Sequence, residues 1–130
     1  MAITVITPIK CKLNEFVKET TADDFVALDA TEGAEFTMAQ RDEKYVIVVK
    51  NAAATAVNVS AIIKAGDHLQ SAFGDTKVTL AQNAIAHAVI DSGRFKNVSG
   101  DNKGKVIVKS LDADGKNGSA DLQIKVIQFP

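Results

Sequence analysis

The strongest constraint on the fold is a series of short segments with β-strand character. Residues 44–51, KYVIVVKN, are the clearest of them. This run is apolar at successive positions and rich in valine and isoleucine, whose branched side chains favour extended backbone. A strand that is apolar on both faces is typical of the centre of a sheet, covered from both sides. We therefore expect these residues to form a buried central strand.

Other segments alternate between apolar and polar residues, as a strand with one buried face requires. In TAVNVSAIIKAG, for example, Val57, Val59, Ala61 and Ile63 share one face. Similar strand patterns occur in TKVTLA, AIAHAVI, GKVIVKS and DLQIKVIQFP, with weaker candidates in DDFVALD and AEFTMA. Turn-forming clusters separate these segments at the spacing of a sandwich or barrel. We predict an all-β fold, a single-domain antiparallel β-sandwich over residues 1–130.

The composition is typical of a globular domain and sets limits on its partners. The 130 residues are 46% hydrophobic, which is enough for one hydrophobic core. Fifteen basic and 16 acidic residues give a net charge of -1, without the basic excess of a nucleic-acid-binding protein. The N-terminal MAITVITPIK lacks the basic start and long apolar stretch of a secretory signal. We expect synthesis in the cytoplasm, with no nucleic-acid and no membrane partner.

The loop KAGDHLQSAFGD, residues 64–75, gathers the residue types of hydrolytic chemistry in Asp67, His68 and Ser71. Three residues so close in sequence seldom converge as nucleophile, base and orienting acid. The chain also has no GxSxG nucleophile elbow. We therefore predict no catalytic residues and interpret the loop as a turn-rich connection between two strands.

Metal-binding patterns are incomplete. The two histidines, His68 and His87, lack the HxH, HxxxH or HExxH spacing of a metal site. The segment DADGKNGSADLQ begins like a calcium loop with Asp112 and Asp114, but Lys116 occupies the fifth position, where an oxygen ligand is needed. Because Asp-Gly and Asn-Gly are strong turn formers, we interpret this segment as a hairpin turn. We predict no metal site and no cofactor.

Aromatic residues are few, which bears on a possible sugar-binding role. The chain has no tryptophan, one tyrosine and six phenylalanines. Tyr45 heads the most apolar strand, so we expect it to pack in the core. The phenylalanines are likewise interpreted as core residues.

Between Tyr45 and Phe95 a set of short motifs occurs in a fixed order. VKN ends one strand, KAGD and LQ lie in the following loop, GD precedes the next strand, and S-RF follows it. The matching residues are Val49-Lys50-Asn51, Lys64-Ala65-Gly66-Asp67, Leu69-Gln70, Gly74-Asp75, Ser92 and Arg94-Phe95. This order resembles that of small head-associated proteins of tailed bacteriophages and prophages, of the capsid decoration (cement) type. The closing IKVIQFP also resembles the hydrophobic final strand and proline of that family.

The resemblance implies a non-enzymatic virion protein that decorates and stabilises the outer surface of a phage capsid. Its partner would be the lattice of the major capsid protein, and a homo-oligomer, with a trimer favoured, is implied. The protein would be made in the cytoplasm of the bacterial host and would end on the capsid surface of the virion. Two alternatives stay open: another virion component, such as a tail or head fibre protein, and a carbohydrate-binding or adhesion module.

Two parts of the sequence are candidate partner interfaces. Residues 1–12 carry apolar, β-prone side chains and form either an arm that adds a strand to a neighbour or an edge strand of the same domain. The apolar residues of this stretch are Ile3, Val5, Ile6 and Ile9. The second candidate is the polar part of the loop, namely Asp67, His68 and Gln70.

Overall fold

A computed structural model describes residues 2–19 and 25–130, and these residues form two β-sheets that pack face to face. The strands are β1 Thr4–Val5, β2 Ile9–Lys10, β3 Val26–Ala27, β4 Ala34–Thr37, β5 Tyr45–Asn51, β6 Val59–Ile63, β7 Thr76–Leu80, β8 Ile85–Ala88, β9 Lys105–Leu111 and β10 Leu122–Gln128. A single α-helical turn, α1, spans Ser92–Phe95, and 3-10 turns span Asp42–Lys44, Leu69–Phe73 and Gly100–Asn102. The predicted strand DDFVALD begins at residues 23–24, outside the described residues.

The first sheet has the strand order β1-β4-β9-β6-β7, and the second has the order β2-β10-β5-β8, with β3 also paired to β10. The predicted all-β sandwich is confirmed. Both sheets are mixed, however, because β1 pairs with β4 and β2 pairs with β10 in parallel. All other strand pairs in the described residues are antiparallel.

The core lies between the sheets and follows the alternation seen in the sequence. On β10, Leu122, Ile124 and Val126 are all fully buried. The central position of β5 is confirmed, since β5 lies between β10 and β8. Val48 and its neighbour Ile47 point to opposite faces of β5, and both are buried. Truncation of such a side chain to alanine costs about 2–5 kcal/mol.

The aromatic residues divide between core and surface. Tyr45 is buried as predicted, and its hydroxyl accepts hydrogen bonds from the backbone N–H groups of Ala39 and Gln40, both at 3.0 Å. Phe36 and Phe95 are buried as well. The prediction that all the phenylalanines are core residues is wrong for Phe16, Phe73 and Phe129, which are exposed. None of these three lies in a strand, so strand alternation does not turn them inward.

Asn51 joins the two sheets through its buried side chain. Its amide nitrogen donates to the carbonyl oxygens of Val57 at 2.8 Å and Leu80 at 3.0 Å. Its amide oxygen accepts from the N–H of Ala53 at 3.0 Å. The last residue of β5 in the second sheet is thereby tied to the end of β7 in the first, which satisfies polar groups that burial would otherwise leave unpaired.

The prediction of a hairpin at residues 112–121 is wrong, because β9 and β10 belong to different sheets. The connection between them crosses from one sheet to the other. Its turn chemistry is local: the N–H of Gly115 donates to the carbonyl of Asp112 at 3.0 Å. Ser110 joins the end of β9 to the end of this connection. Its hydroxyl donates to the carbonyl of Ser119 and accepts from the N–H of that residue.

Candidate functional site

The loop at residues 64–75 connects β6 to β7, and the carboxylates of its aspartates are held by nearby donors. Asp67 accepts from the N–H of Val98 and from the hydroxyl of Ser99, both at 2.6 Å. Asp75 accepts from the N–H of Ala65 at 2.6 Å and from the ammonium of Lys64 at 2.7 Å. Both ends of the loop are therefore fixed by charge-assisted hydrogen bonds.

Arg94, from the single helical turn α1, fastens the far end of the same loop. Its Nε donates to the carbonyl of Gly74 at 2.9 Å, and a terminal nitrogen donates to the carbonyl of Asp75 at 3.1 Å. The guanidinium also lies over the ring of Phe95, 4.7 Å from its centroid. In return, the carbonyl of Arg94 accepts from the N–H of Gly66 at 2.8 Å.

Gly66 is required by the close approach of the loop to the segment that follows α1. A Cβ atom at this position would lie 2.4 Å from the carbonyl oxygen of Lys96. The residues of the KAGD, GD and S-RF motifs therefore contact one another and form one hydrogen-bonded unit, which we call the anchored loop: residues 64–75 together with residues 92–99. The motifs are widely separated in sequence, but the fold brings them together.

The electrostatic state of the aspartates follows from these contacts. The hydrogen bond from Ser99, helped by that from Val98, lowers the pKa of Asp67 below its ordinary value. Partial burial raises the pKa of Asp75, but the hydrogen bonds from Lys64 and Ala65 outweigh it and the net pKa is lowered. Both carboxylates are thus stabilised in the ionised form.

The chemically suggestive residues of the loop do not form a nucleophile–base–acid array. The hydroxyl of Ser71 donates to the backbone carbonyl of His68, while Asp67 is bonded to Val98 and Ser99. Within residues 2–19 and 25–130, no group of three or more His, Cys, Asp or Glu side chains is placed to hold a metal ion. His68 and Gln70 are exposed at the surface of the loop.

The N-terminal candidate residues lie in and around β1 and β2, which are edge strands of the two sheets. Val5 is 70% exposed, whereas Ile6 is buried in the core. Ile3 and Ile9 are half-buried. Because β1 pairs with β4, it lies at the edge of the first sheet opposite to β7. The fold therefore separates the N-terminal group from Asp67, His68 and Gln70 and does not combine them in one site.

The crossing connection at residues 112–121 differs from the anchored loop. The carboxyl groups of Asp112 and Asp114 lie close together, and their mutual hydrogen bond raises the pKa of Asp112 and lowers that of Asp114. One buried oxygen of Asp112, Oδ1, has no hydrogen-bond partner among the described residues. The described part of the chain places no lysine or arginine within 4.0 Å of either carboxylate.

Sequence reasoning missed several exposed apolar side chains, because single residues outside the strands carry no periodic signal. Leu13 and Phe16 project from the segment that follows β2, and Phe73 projects from the anchored loop. Val89 follows β8 and is also exposed. Isolated apolar residues are normal on a protein surface, but Phe73 adds an apolar side chain to the surface that carries His68 and Gln70.

In the part of the chain that the structure describes, no helix has the length and apolar character needed to cross a membrane. Comparison with protein-family models, with curated proteins and with solved structures finds no match to this chain.

Proposed function

We propose that this chain is a non-enzymatic structural protein of a bacteriophage virion, and that it decorates and stabilises the outer surface of the capsid. Its partner in this proposal is the lattice of the major capsid protein. Each contact would be weak, and repetition over a symmetric shell would provide avidity.

The observation that supports the proposal is the anchored loop. The motifs that resemble those of decoration proteins are explained by contacts within the chain: Asp67 with Ser99, Asp75 with Lys64, and Arg94 with the carbonyl of Gly74. These side chains hold a loop in place. Their occurrence together in this chain and in decoration proteins therefore favours a common structural element over a common reaction. A rigid loop with an exposed tip suits a protein whose role is to contact a surface.

The tip of the loop is the part that we assign to the capsid contact. His68, Gln70 and Phe73 are exposed there, and the anchoring bonds beneath them limit the entropy lost when they dock. A contact of this kind combines one apolar side chain with polar groups around it, as in small protein interfaces.

The test is co-sedimentation of the protein with shells assembled from the major capsid protein encoded nearest to it. The wild-type chain is expected to sediment with the shells, and a His68→Glu, Phe73→Glu double variant is expected to remain in the supernatant. A matched control is the Asp101→Ala, Lys103→Glu variant, which changes two exposed residues outside the loop and is expected to bind normally.

Thermal unfolding of each variant separates a lost contact from a lost fold. If the wild-type chain is folded and the shells do not retain it, the proposed function is wrong. If it sediments but the loop variant sediments equally well, the assignment of the contact to the loop tip is wrong.

A further inference from the structure

A second surface is a groove on the outer face of the first sheet, which shares Lys64 with the anchored loop. We call it the lysine groove; it has a volume of about 490 Å³. Its floor contains Ile62 and Leu111, and its lysines are Lys64, Lys109 and Lys116.

The wall of the lysine groove is built by close backbone packing. Ala30 and Thr31 line one side, and Asn117 and Gly118 come from the crossing connection. A Cβ on Gly118 would lie 1.5 Å from the carbonyl oxygen of Ala30, so only glycine allows this approach. The groove is thus a fixed part of the fold, formed by two segments in direct contact.

The charge of the lysine groove is one-sided. No acidic residue is among the side chains that line it. Within residues 2–19 and 25–130, no carboxylate lies within 4.0 Å of the ammonium groups of Lys109 and Lys116. Lys64 is paired with Asp75. Among the described residues, two of the three lysines therefore form no ion pair, although the whole chain has a net charge of -1.

The spacing of the lysines identifies the shape of the complementary anion. Lys109 lies opposite Ile62 across the β6–β9 pair, and the N–H of Lys64 bonds to the carbonyl of Ile107. Lys64 and Lys109 are therefore diagonal neighbours on one face, with their Cα atoms about 7–8 Å apart. Alternate side chains on one side of an extended chain are separated by about 6.7 Å. Carboxylates at positions i and i+2 of an extended segment match this spacing.

We propose that the lysine groove binds an extended acidic segment of a partner protein. One carboxylate of the segment would pair with Lys109, a second, two residues along, would lie beside Lys64, and a further one would pair with Lys116, while its backbone would lie over Ile62 and Leu111. A protein is favoured over a nucleic acid because the lining contains neither an aromatic side chain for stacking on bases nor an arginine.

The experiment measures binding of a fluorescent peptide in which glutamate alternates with serine, with a glutamine–serine peptide as the neutral probe. The wild-type protein is expected to bind the acidic peptide and to show no measurable binding of the neutral one. A Lys109→Gln, Lys116→Gln variant is expected to bind the acidic peptide about tenfold more weakly. The matched control, Lys18→Gln, Lys103→Gln, removes the same charge from exposed positions outside the groove and is expected to bind within about twofold of wild type.

Four results would overturn the inference. The first is no binding of the acidic peptide, and the second is an equal loss in the control variant, which shows that only net charge matters. The third is tighter binding of a single-stranded oligonucleotide than of the peptide. The fourth is self-association that is abolished equally by the lysine changes and by Asp112→Asn, Asp114→Asn, which assigns the groove to a second copy of the chain.

This inference stands apart from the proposed function. The peptide measurement uses the free protein and no shells, so failure of one experiment leaves the other unaffected. All variants change exposed or half-exposed side chains, and their thermal unfolding verifies that the fold is retained.

Discussion

Residues 64–75 and residues 112–121 are both polar connections that leave strands of the first sheet, and each carries aspartates and two glycines. In the anchored loop, Asp67 and Asp75 each accept two hydrogen bonds from donors outside their own turn. In the crossing connection, Asp112 and Asp114 instead lie beside one another. The pKa values of Asp67 and Asp75 are both lowered, whereas in the crossing connection the pKa of Asp112 is raised and only that of Asp114 is lowered.

The difference shows that the contribution of such a loop to stability depends on the hydrogen-bond donors around its aspartates, and not on the aspartates alone. In the anchored loop the donors come from Ser99, Lys64 and the backbone, and ionised carboxylates lower the free energy of the fold. In the crossing connection the stability comes instead from backbone packing around Gly118 and from Ser110. The contrast between the anchored loop and the crossing connection can be tested by substitutions that change one of these contacts at a time.

The largest effect is expected for Gly118→Ala. Its Cβ would lie 1.5 Å from the carbonyl oxygen of Ala30, so the two segments must separate, and we expect a loss of about 3 kcal/mol or more in the free energy of unfolding. Urea denaturation measures it. Gly100→Ala is the control for the added methyl group, because its Cβ meets nothing within 4 Å; only its φ of +70°, which Gly118 does not share, is unfavourable for alanine. That control isolates a backbone cost of about 1 kcal/mol; equal losses in both variants would contradict the packing argument.

Arg94→Lys is expected to have the next largest effect, about 2 kcal/mol. Lysine cannot donate at once to the carbonyls of Gly74 and Asp75, as the guanidinium does at 2.9 and 3.1 Å. Hydrogen exchange is expected to show faster exchange in residues 64–75 with unchanged protection in β10. Uniform loss of protection across both regions would mean that Arg94 does not act locally.

Asp67→Asn is expected to lower the unfolding midpoint at pH 7 but not in acid. The pKa of Asp67 is lowered from 3.8 in the folded protein, so its contribution is present above that value and is lost as the pH falls through the folded pKa. Thermal unfolding from pH 7 to pH 2.5 measures the difference between variant and wild type. A difference that stays constant over this range would contradict the assigned hydrogen bonds.

Asp112→Asn is expected to have a smaller effect of opposite sign. The pKa of Asp112 is raised from 3.8 by its hydrogen bond with Asp114, so its favourable contribution exists below 3.8 and is lost as the pH rises through the folded pKa. Above the folded pKa of Asp112 the neighbouring carboxylate of Asp114 repels it, and an amide at position 112 removes the repulsion. A raised midpoint at pH 7 that disappears near pH 3 is the expected result; a lowered midpoint at pH 7 would contradict the contrast between the loops.

Alternation of side chains predicted much of the fold. It placed Val59, Ala61 and Ile63 on one face, and all three are buried, because a strand with one solvent-exposed face must alternate. It could not show that β9 and β10 lie in different sheets, since a turn signal is the same in a hairpin and in a crossing connection. Nor could it show that β1 pairs with β4, or that β2 pairs with β10, in parallel. The partner of a short edge strand depends on which strand has an unpaired edge in the folded chain.

The candidate site was less predictable than the fold. The motif residues around Gly66 and Arg94 could be recognised as a set, but their contacts depend on the return of residues 92–99 to the loop. Ser99 and Val98, which hold Asp67, gave no signal in the sequence. The lysine groove was missed for a similar reason: Lys64 is far in sequence from Lys109 and Lys116, and the pairing of β6 with β9 brings it beside Lys109.

We propose that this protein binds the outer surface of a capsid. Electron cryo-microscopy of the shells after incubation with the protein, with symmetry applied, tests it most directly. We expect density for the sandwich at symmetry-repeated positions on the outer surface, with the tip of residues 64–75 directed at the lattice. Shells that remain bare in the presence of folded protein, or density confined to the tail or the interior, would contradict it.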